Sequence, residues 1–327
     1  MPRSVKFPVT LAAMVGVFSM ATAVSASCTA ASCPIQSPIT PVAGKWELSL
    51  DYSYIGQSTL MTGSDVKDPN TSTMHHTELE TYTRTFAARI GYQIDAQWSI
   101  SVSLPYVWRK HAHTHHHQGQ SIHDEWDISG LGDTWIEGSY TENNSIIFGN
   151  SLVTEMGIKL ATGLPRMKNS GGDEAEIPIQ PGSGATDYRF GFRTQFPIAI
   201  LENWDGQHTE LPAKFVTRYT LTGIGSDGWR AGDEIFAGVH TDWSLTRSIS
   251  VIGGFSGIYR MKAEAGTTKE DINSTGGQSL LADLGLVITL APRTQWSISG
   301  CVPLYQNVNG EQLGVQSIAQ TRLSIQL

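Results

Sequence analysis

Trp98, Ile100, Val102, Leu104, Tyr106 and Trp108 occupy every second position of one segment, with Ser99, Ser101, Ser103 and Pro105 between them. A period of two places the large apolar groups on one face of a strand and the small groups on the other. The same alternation recurs from about residue 45 to the end of the chain. Trp46 to Tyr54 alternate with Glu47, Ser49, Asp51 and Ser53, and Leu280 to Ile288 alternate with Asp283 and Thr289. About twelve such segments can be laid along residues 45–327, an even number that suits a closed antiparallel barrel spanning a membrane.

Link lengths support this arrangement. Short links at 93–97, 245–248 and 291–294 alternate with long ones at 56–77, 110–129, 163–185 and 262–277. Short turns on one side and long loops on the other are the pattern of bacterial outer-membrane barrels. The 197–211 link is longer than that pattern favours. The aromatics sort by height once the strands are placed. Trp46, Tyr92, Trp98, Tyr140, Phe196, Trp243 and Trp296 fall at one end, and Tyr54, Tyr82, Tyr106, Trp108, Tyr188, Tyr219 and Tyr259 at the other. Two aromatic girdles at the membrane interfaces are thus expected. The fold predicted is all-β, an up-and-down transmembrane barrel.

The first 26 residues read as a cleaved signal peptide: Arg3 and Lys6, an apolar run through Phe18, then Val24-Ser25-Ala26. Residues 27–44 form a short segment expected at the periplasmic mouth or inside the bore, and 45–327 form one barrel domain in the outer membrane of a Gram-negative cell. The net charge of −8, without a basic cluster, argues against nucleic acid as a partner. Lipid and a small-molecule solute are the partners this fold implies. Cys28 and Cys33 are placed to close a small loop or to remain unpaired, and Cys301 reads as a small interior residue.

Three stretches resemble the "MetA-pathway of phenol degradation" family of proteobacterial outer-membrane transporters. They are Gly130-Leu131-Gly132-Asp133; Gly157 to Pro165 followed by Gln180 to Asp187; and Val302 to Gly310. The chain departs from the family pattern at Ala161, where proline is expected, and at Leu327, which replaces a terminal aromatic. The resemblance implies a β-barrel channel or transporter, often for aromatic compounds, with no catalytic residues and no required cofactor.

The lumen face is expected to carry Glu47, Asp51, Asp133, Glu137, Glu155, Asp187, Asp242 and Asp283 together with Arg89, Lys159, Arg189, Arg193, Lys214, Arg218, His240, Arg260 and Arg322. Mixed signs predict a salt-bridged interior or a narrow polar path, whereas rings of one sign would predict strong ion selectivity. No G-x-S-x-G, H-E-x-x-H or phosphate-loop motif is present, and the His240/Asp242 pair has no recognisable nucleophile, so an enzyme is not expected.

Histidine is the feature a generic barrel does not need. His75, His76, His111, His113, His115, His116, His117 and His123 lie in the first two predicted external loops. In extended conformation His111, His113, His115 and His117 share a face, and imidazoles so placed suit Zn, Cu, Ni or Co. Asp124 and Glu125 stand near enough in sequence to add oxygen ligands or orient a ring. Metal capture, incidental polar composition and a pH-responsive loop are the three readings of this tract. The functions that follow are a channel for small, aromatic or hydrophobic molecules; a metal-handling surface protein; or a structural barrel serving a protein partner.

Overall fold

In a computed structural model, Gly44–Leu327 are described except for 73–75, 118–119, 144–150, 170–171, 173, 203–207 and 268–271. The leader, the segment through residue 43 with Cys28 and Cys33, and His75 lie outside the described residues. His116 and His117 are described by their backbone alone.

The chain forms thirteen extended elements: β1 (Trp46–Gly63), β2 (Asp65–Val66), β3 (His76–Gln93), β4 (Trp98–His117), β5 (Gln120–Leu131), β6 (Thr134–Glu142), β7 (Leu152–Leu160), β8 (Asp187–Glu202), β9 (His208–Leu221), β10 (Glu234–Ser244), β11 (Ile249–Arg260), β12 (Gly277–Ala291) and β13 (Thr294–Gln326). Eleven of them pair in sequence order, and β13 returns to β1, which closes the sheet into a barrel. β2 and β5 stand off the ring, on β1 and β4 respectively. β13 is two passes in one element. Its first arm pairs with β12 from Thr294 to Val308, and its second pairs with β1 from Glu311 to Gln326. The chain reverses beside Gly310, whose φ of +56° is ordinary for glycine and strained for other residues. Counted as passes, the ring meets the expected number of about twelve.

The seam between first and last strands is long and regular at its base. Leu48 pairs with Ile325 and Asp51 with Arg322. Ser49 and Ser324 share a buried hydrogen bond of 3.0 Å, and Asp51 is ion-paired with Arg322. At the base of the barrel the β3–β4 turn is held by Asp95, whose Oδ1 accepts from the backbone N–H groups of Gln97 (2.8 Å) and Trp98 (2.7 Å).

The apolar side chains face outward. Trp46 is 52 % exposed and Leu284 65 %, and Ile100, Val102, Leu104, Met156, Phe255 and Val302 are exposed with them. Water would penalise such a surface and hydrocarbon would not. Aromatic pairs bound it: Trp46–Tyr92 and Trp98–Tyr140 at the base, with ring centroids 4.7 and 4.8 Å apart, and Tyr106–Trp108 at the top, 4.6 Å apart. This is the outer surface of a membrane-spanning barrel. Among the described residues no helix is long and apolar enough to cross a bilayer, so the crossing is made by strands.

Three expectations need correction. The long links at 56–77 and 110–129 are largely strand, because β1, β3, β4 and β5 continue as paired ribbons above the upper girdle. The 197–211 link shrinks to 203–207 for the same reason, β8 running on to Glu202 and β9 starting at His208. The alternation of Trp296, Ile298, Val302 and Leu304 with Ser297, Ser299 and Tyr305 predicts Tyr305 on the lumen face, but beyond a register shift at Leu280/Leu281 it pairs with the exposed Leu280 and is itself exposed.

The interior is not polar throughout. Ile55, Ile252, Leu281, Val287, Cys301 and Ile318 face inward on the seam side and form one buried apolar cluster. Cys301 is interior as expected, and it is disulfide-bonded.

A cation placed on the lipid face should destabilise the barrel where the same chemistry in the lumen is tolerated. Leu284→Arg is expected to lower the unfolding free energy by roughly 2–4 kcal/mol near mid-bilayer. Denaturant titration in phospholipid vesicles, read by heat-modifiable gel mobility, measures this.

Candidate metal centre and lumen

Above Trp108 the alternation of β4 continues with a change of chemistry. The inward positions become Arg109, His111, His113 and His115, with His111 and His113 fully buried and His115 partly so. Antiparallel pairing sets His76 of β3 opposite His115, and Thr81 opposite His111. His111 Nε2 lies 3.1 Å from His113 Nδ1, and His113 Nε2 lies 2.8 Å from His115 Nε2. Thr81 Oγ1 is 2.8 Å from His111 Nδ1. The ring of Trp126, on β5, packs against His113 at 4.5 Å between centroids.

The fourth partner is Glu176, which sequence reasoning missed. It sits in the connection between β7 and β8 (161–186), which folds inward and packs Ala175 and Ile179 against Trp126 and Ile128. Glu176 Oε1 is 2.8 Å from His76 Nδ1 and 3.8 Å from His113 Nδ1. Donor atoms of His76, His111, His113 and Glu176 all lie within 4.8 Å of one another, and those of His113, His115 and Asp124 do the same. Of the other histidines, His123 is exposed and bonded to Glu125 at 3.2 Å, and His116 falls on the opposite parity of the β4 backbone.

Burial sets the protonation of this cluster. Desolvation lowers His111 to a pKa of about 4 and His113 to about 3, with neighbouring imidazoles adding to the shift for His113. Burial opposes ionisation of Glu176, but its hydrogen bond to His76 and the adjacent imidazoles outweigh that, and its pKa falls to about 2. The rings of His111 and His113 are thus neutral at neutral pH and the Glu176 carboxylate beside them is ionised, which is the protonation state that metal binding requires of these three groups.

The inward connection is fastened by residues expected merely to line the lumen. Asp133 Oδ1 accepts from Gly163 N at 2.9 Å, and its Oδ2 accepts from the backbone N–H (2.9 Å) and hydroxyl (2.7 Å) of Ser183. Lys159 pairs with Asp187 and lies 3.4 Å from Asp133. Asp187 accepts from Gly223 N at 2.9 Å, which ties in the next connection, 222–233. The chain crosses itself where Gly163 meets Gly182. A Cβ on Gly163 would stand 2.6 Å from Gly182 Cα, and one on Gly182 would stand 2.4 Å from Gly163 C. Only hydrogen at both positions permits that approach. The GLGD, GIKLATGLP and QPGSGATD stretches, separate in sequence, therefore meet at one point.

Below this fastening the lumenal charges pair across strands. Glu137 binds Arg89 at 2.8 Å and Arg189 at 3.1 Å, while Glu155 binds Arg193 at 2.6 Å and Arg218 at 3.3 Å. Lys214 pairs with Asp242, Arg260 with Glu234, and Glu47 accepts from Ser49 at 2.9 Å. His240, read with Asp242, is instead bonded to Asp283 at 2.8 Å, because Lys214 of the adjacent strand takes Asp242. Two cavities follow the axis. The upper, about 340 Å³, lies against Trp135, Val107, Ile177, Pro178, Pro181 and Trp229; the lower, about 380 Å³, against Glu47, Ser49, Arg89, Ser101 and Arg322. Arg189 lines both, its guanidinium 3.9 Å from the centroid of Trp135.

No family model and no curated protein matches the chain. Solved structures do. An outer membrane channel from Pseudomonas putida F1 superposes with a TM-score of 0.58 at 10 % identity, covering 88 % of this chain and 97 % of that one. The transport unit of the autotransporter AIDA-I from Escherichia coli gives 0.45 at 9 % identity, with coverage of 89 % and 92 %. The P. putida toluene transporter TodX gives 0.42 at 9 %, with 88 % and 91 %. At such identities the first establishes a shared barrel fold, and the lower scores add nothing to it.

The glycine crossing yields a measurable expectation. Gly182→Ala forces its methyl into the backbone of Gly163 and should release the inward connection, speeding trypsin cleavage after Arg166 and Lys168 by an order of magnitude or more. Gly138→Ala, whose Cβ would meet nothing closer than 3.8 Å, should leave the rate unchanged.

Proposed function

We propose that this protein is an outer-membrane channel that admits small molecules of mainly apolar or aromatic character from outside the cell. The observation that carries the reading is the upper cavity. Trp135, Trp229, Val107, Ile177 and its prolines give it an apolar wall beside charged side chains that are already paired, Lys159 with Asp187 and Arg260 with Glu234, and this mixed lining suits a small molecule with apolar surface better than a free ion. Pairing of the lumenal charges supports it, since cancelled charges leave no ring of one sign to select ions. The similarity to the family associated with phenol degradation and the fold shared with an outer membrane channel point the same way. His240 and Asp283 form a buried hydrogen-bonded pair within the barrel wall.

The reading is tested in two ways. In planar bilayers the protein should conduct weakly and with little preference between cations and anions. Uptake of a monoaromatic hydrocarbon by cells expressing it should exceed that of cells without it; strong ion selectivity together with unchanged uptake would overturn the proposal. Arg189→Ala is expected to join the two cavities and raise conductance several-fold, while Glu137 keeps Arg89 as its partner.

A further inference from the structure

We infer that His76, His111, His113 and Glu176 form a binding site for one divalent transition-metal ion, and that the ion pins the inward β7–β8 connection to the wall of β3 and β4.

The donor set comes from three separate pieces of chain. Two histidines come from one face of β4, one from β3, and the carboxylate from a connection about sixty residues further on. Incidental histidine content would scatter the rings in solvent. Here His111 and His113 are fully buried, and the carboxylate reaches in from the opposite side. The spacings fit an ion. Tetrahedral zinc with bonds of about 2.0–2.1 Å to nitrogen sets its ligand atoms roughly 3.3–3.4 Å apart. The measured separations bracket that value: 2.8 Å for His76–Glu176, 3.1 Å for His111–His113 and 3.8 Å for His113–Glu176. These three pairs reach the spacing of an ion by shifts of about half an ångström or less, and the remaining donor pairs lie within 4.8 Å of one another.

Supporting contacts are in place as well. Thr81 Oγ1 on His111 Nδ1 aims the other ring nitrogen, Nε2, at the site. Trp126 closes one side against His113. Three imidazoles and one carboxylate favour Zn, Co, Ni or Cu over Mg or Ca. The second cluster gives the ion a way in. His113 turns Nδ1 toward the buried set and Nε2 toward the partly exposed His115 and Asp124, so the outer group stands on the path from solvent.

The consequence is mechanical. Glu176 belongs to the segment that supplies Ile177 and Pro178 to the upper cavity, so an ion holding Glu176 also fixes that part of the lining. The inference goes beyond the channel reading and does not depend on it, because binding and its effect on the connection can be measured whether or not the bore conducts.

The test uses the full-length protein in detergent, with Zn²⁺ and Co²⁺ as probes and Mg²⁺ as control. One Zn²⁺ should bind per chain by calorimetry, Co²⁺ should show the intense visible absorption of tetrahedral coordination, and Mg²⁺ should not bind. His111→Ala with His113→Ala should abolish the cobalt spectrum. Glu176→Gln, at the margin of the cluster, should weaken binding at least tenfold while heat-modifiable mobility stays as in the wild type. Zn²⁺ should slow trypsin cleavage after Arg166 and Lys168 in the wild type and leave Glu176→Gln unaffected. Weak binding of several ions that survives all these substitutions, or binding that leaves the cleavage rate of the wild type unchanged, would overturn the inference.

Discussion

A backbone N–H or C=O without a partner is costly in hydrocarbon, and this single requirement organises the molecule. A sheet in lipid has no permissible edge, so the first strand must find the last. The β1–β13 seam does so with an unbroken register from Glu47/Gln326 to Gly56/Ser317 and the Ser49–Ser324 and Asp51–Arg322 contacts behind it. Closure then sorts every strand by parity. One set of side chains meets lipid and the other meets the lumen, where charges of opposite sign from neighbouring strands pair with one another.

That constraint relaxes above the upper girdle, and the chain uses the freedom. β1, β3, β4 and β5 keep their hydrogen-bonded pairing after leaving the apolar belt, so the alternation that put Val102 and Leu104 toward lipid also puts His111 and His113 in a row further up. The ribbon is a rigid mount. Imidazoles on it are held to a spacing set by the pleat, whereas the same residues on an irregular loop would have no shared geometry.

The walls were legible in the sequence because a period of two needs only neighbouring residues to be seen. Trp98 to Trp108 shows it with no reference to the rest of the chain. The shared face of His111, His113 and His115 was legible for the same reason. What the period could not carry was every contact made across the bore. Glu176 sits in a stretch with no periodicity, and its approach to His76 depends on the inward fold of a connection anchored at Asp133. Asp133, Lys159 and Asp187 could be assigned to the lumen by parity, but their role as a fastening needed the Gly163–Gly182 crossing, which no local pattern announces. Reading His240 with Asp242 failed similarly: proximity along one strand lost to Asp283 and Lys214 on adjacent strands.

The inward connection has a second bond to the wall. Among the described residues β5 pairs with β4 and with no other strand, and near the upper girdle Leu131 O accepts instead from Leu164 N at 2.8 Å, while Leu164 O accepts from Gly182 N at 3.1 Å. Residues 164 and 182 thus substitute for a missing strand at the height where lipid begins. Swinging the whole connection outward would leave Leu131 without that partner beside the acyl chains. Any widening of the passage must accordingly bend the segment between those two points, with its roots left standing as masonry.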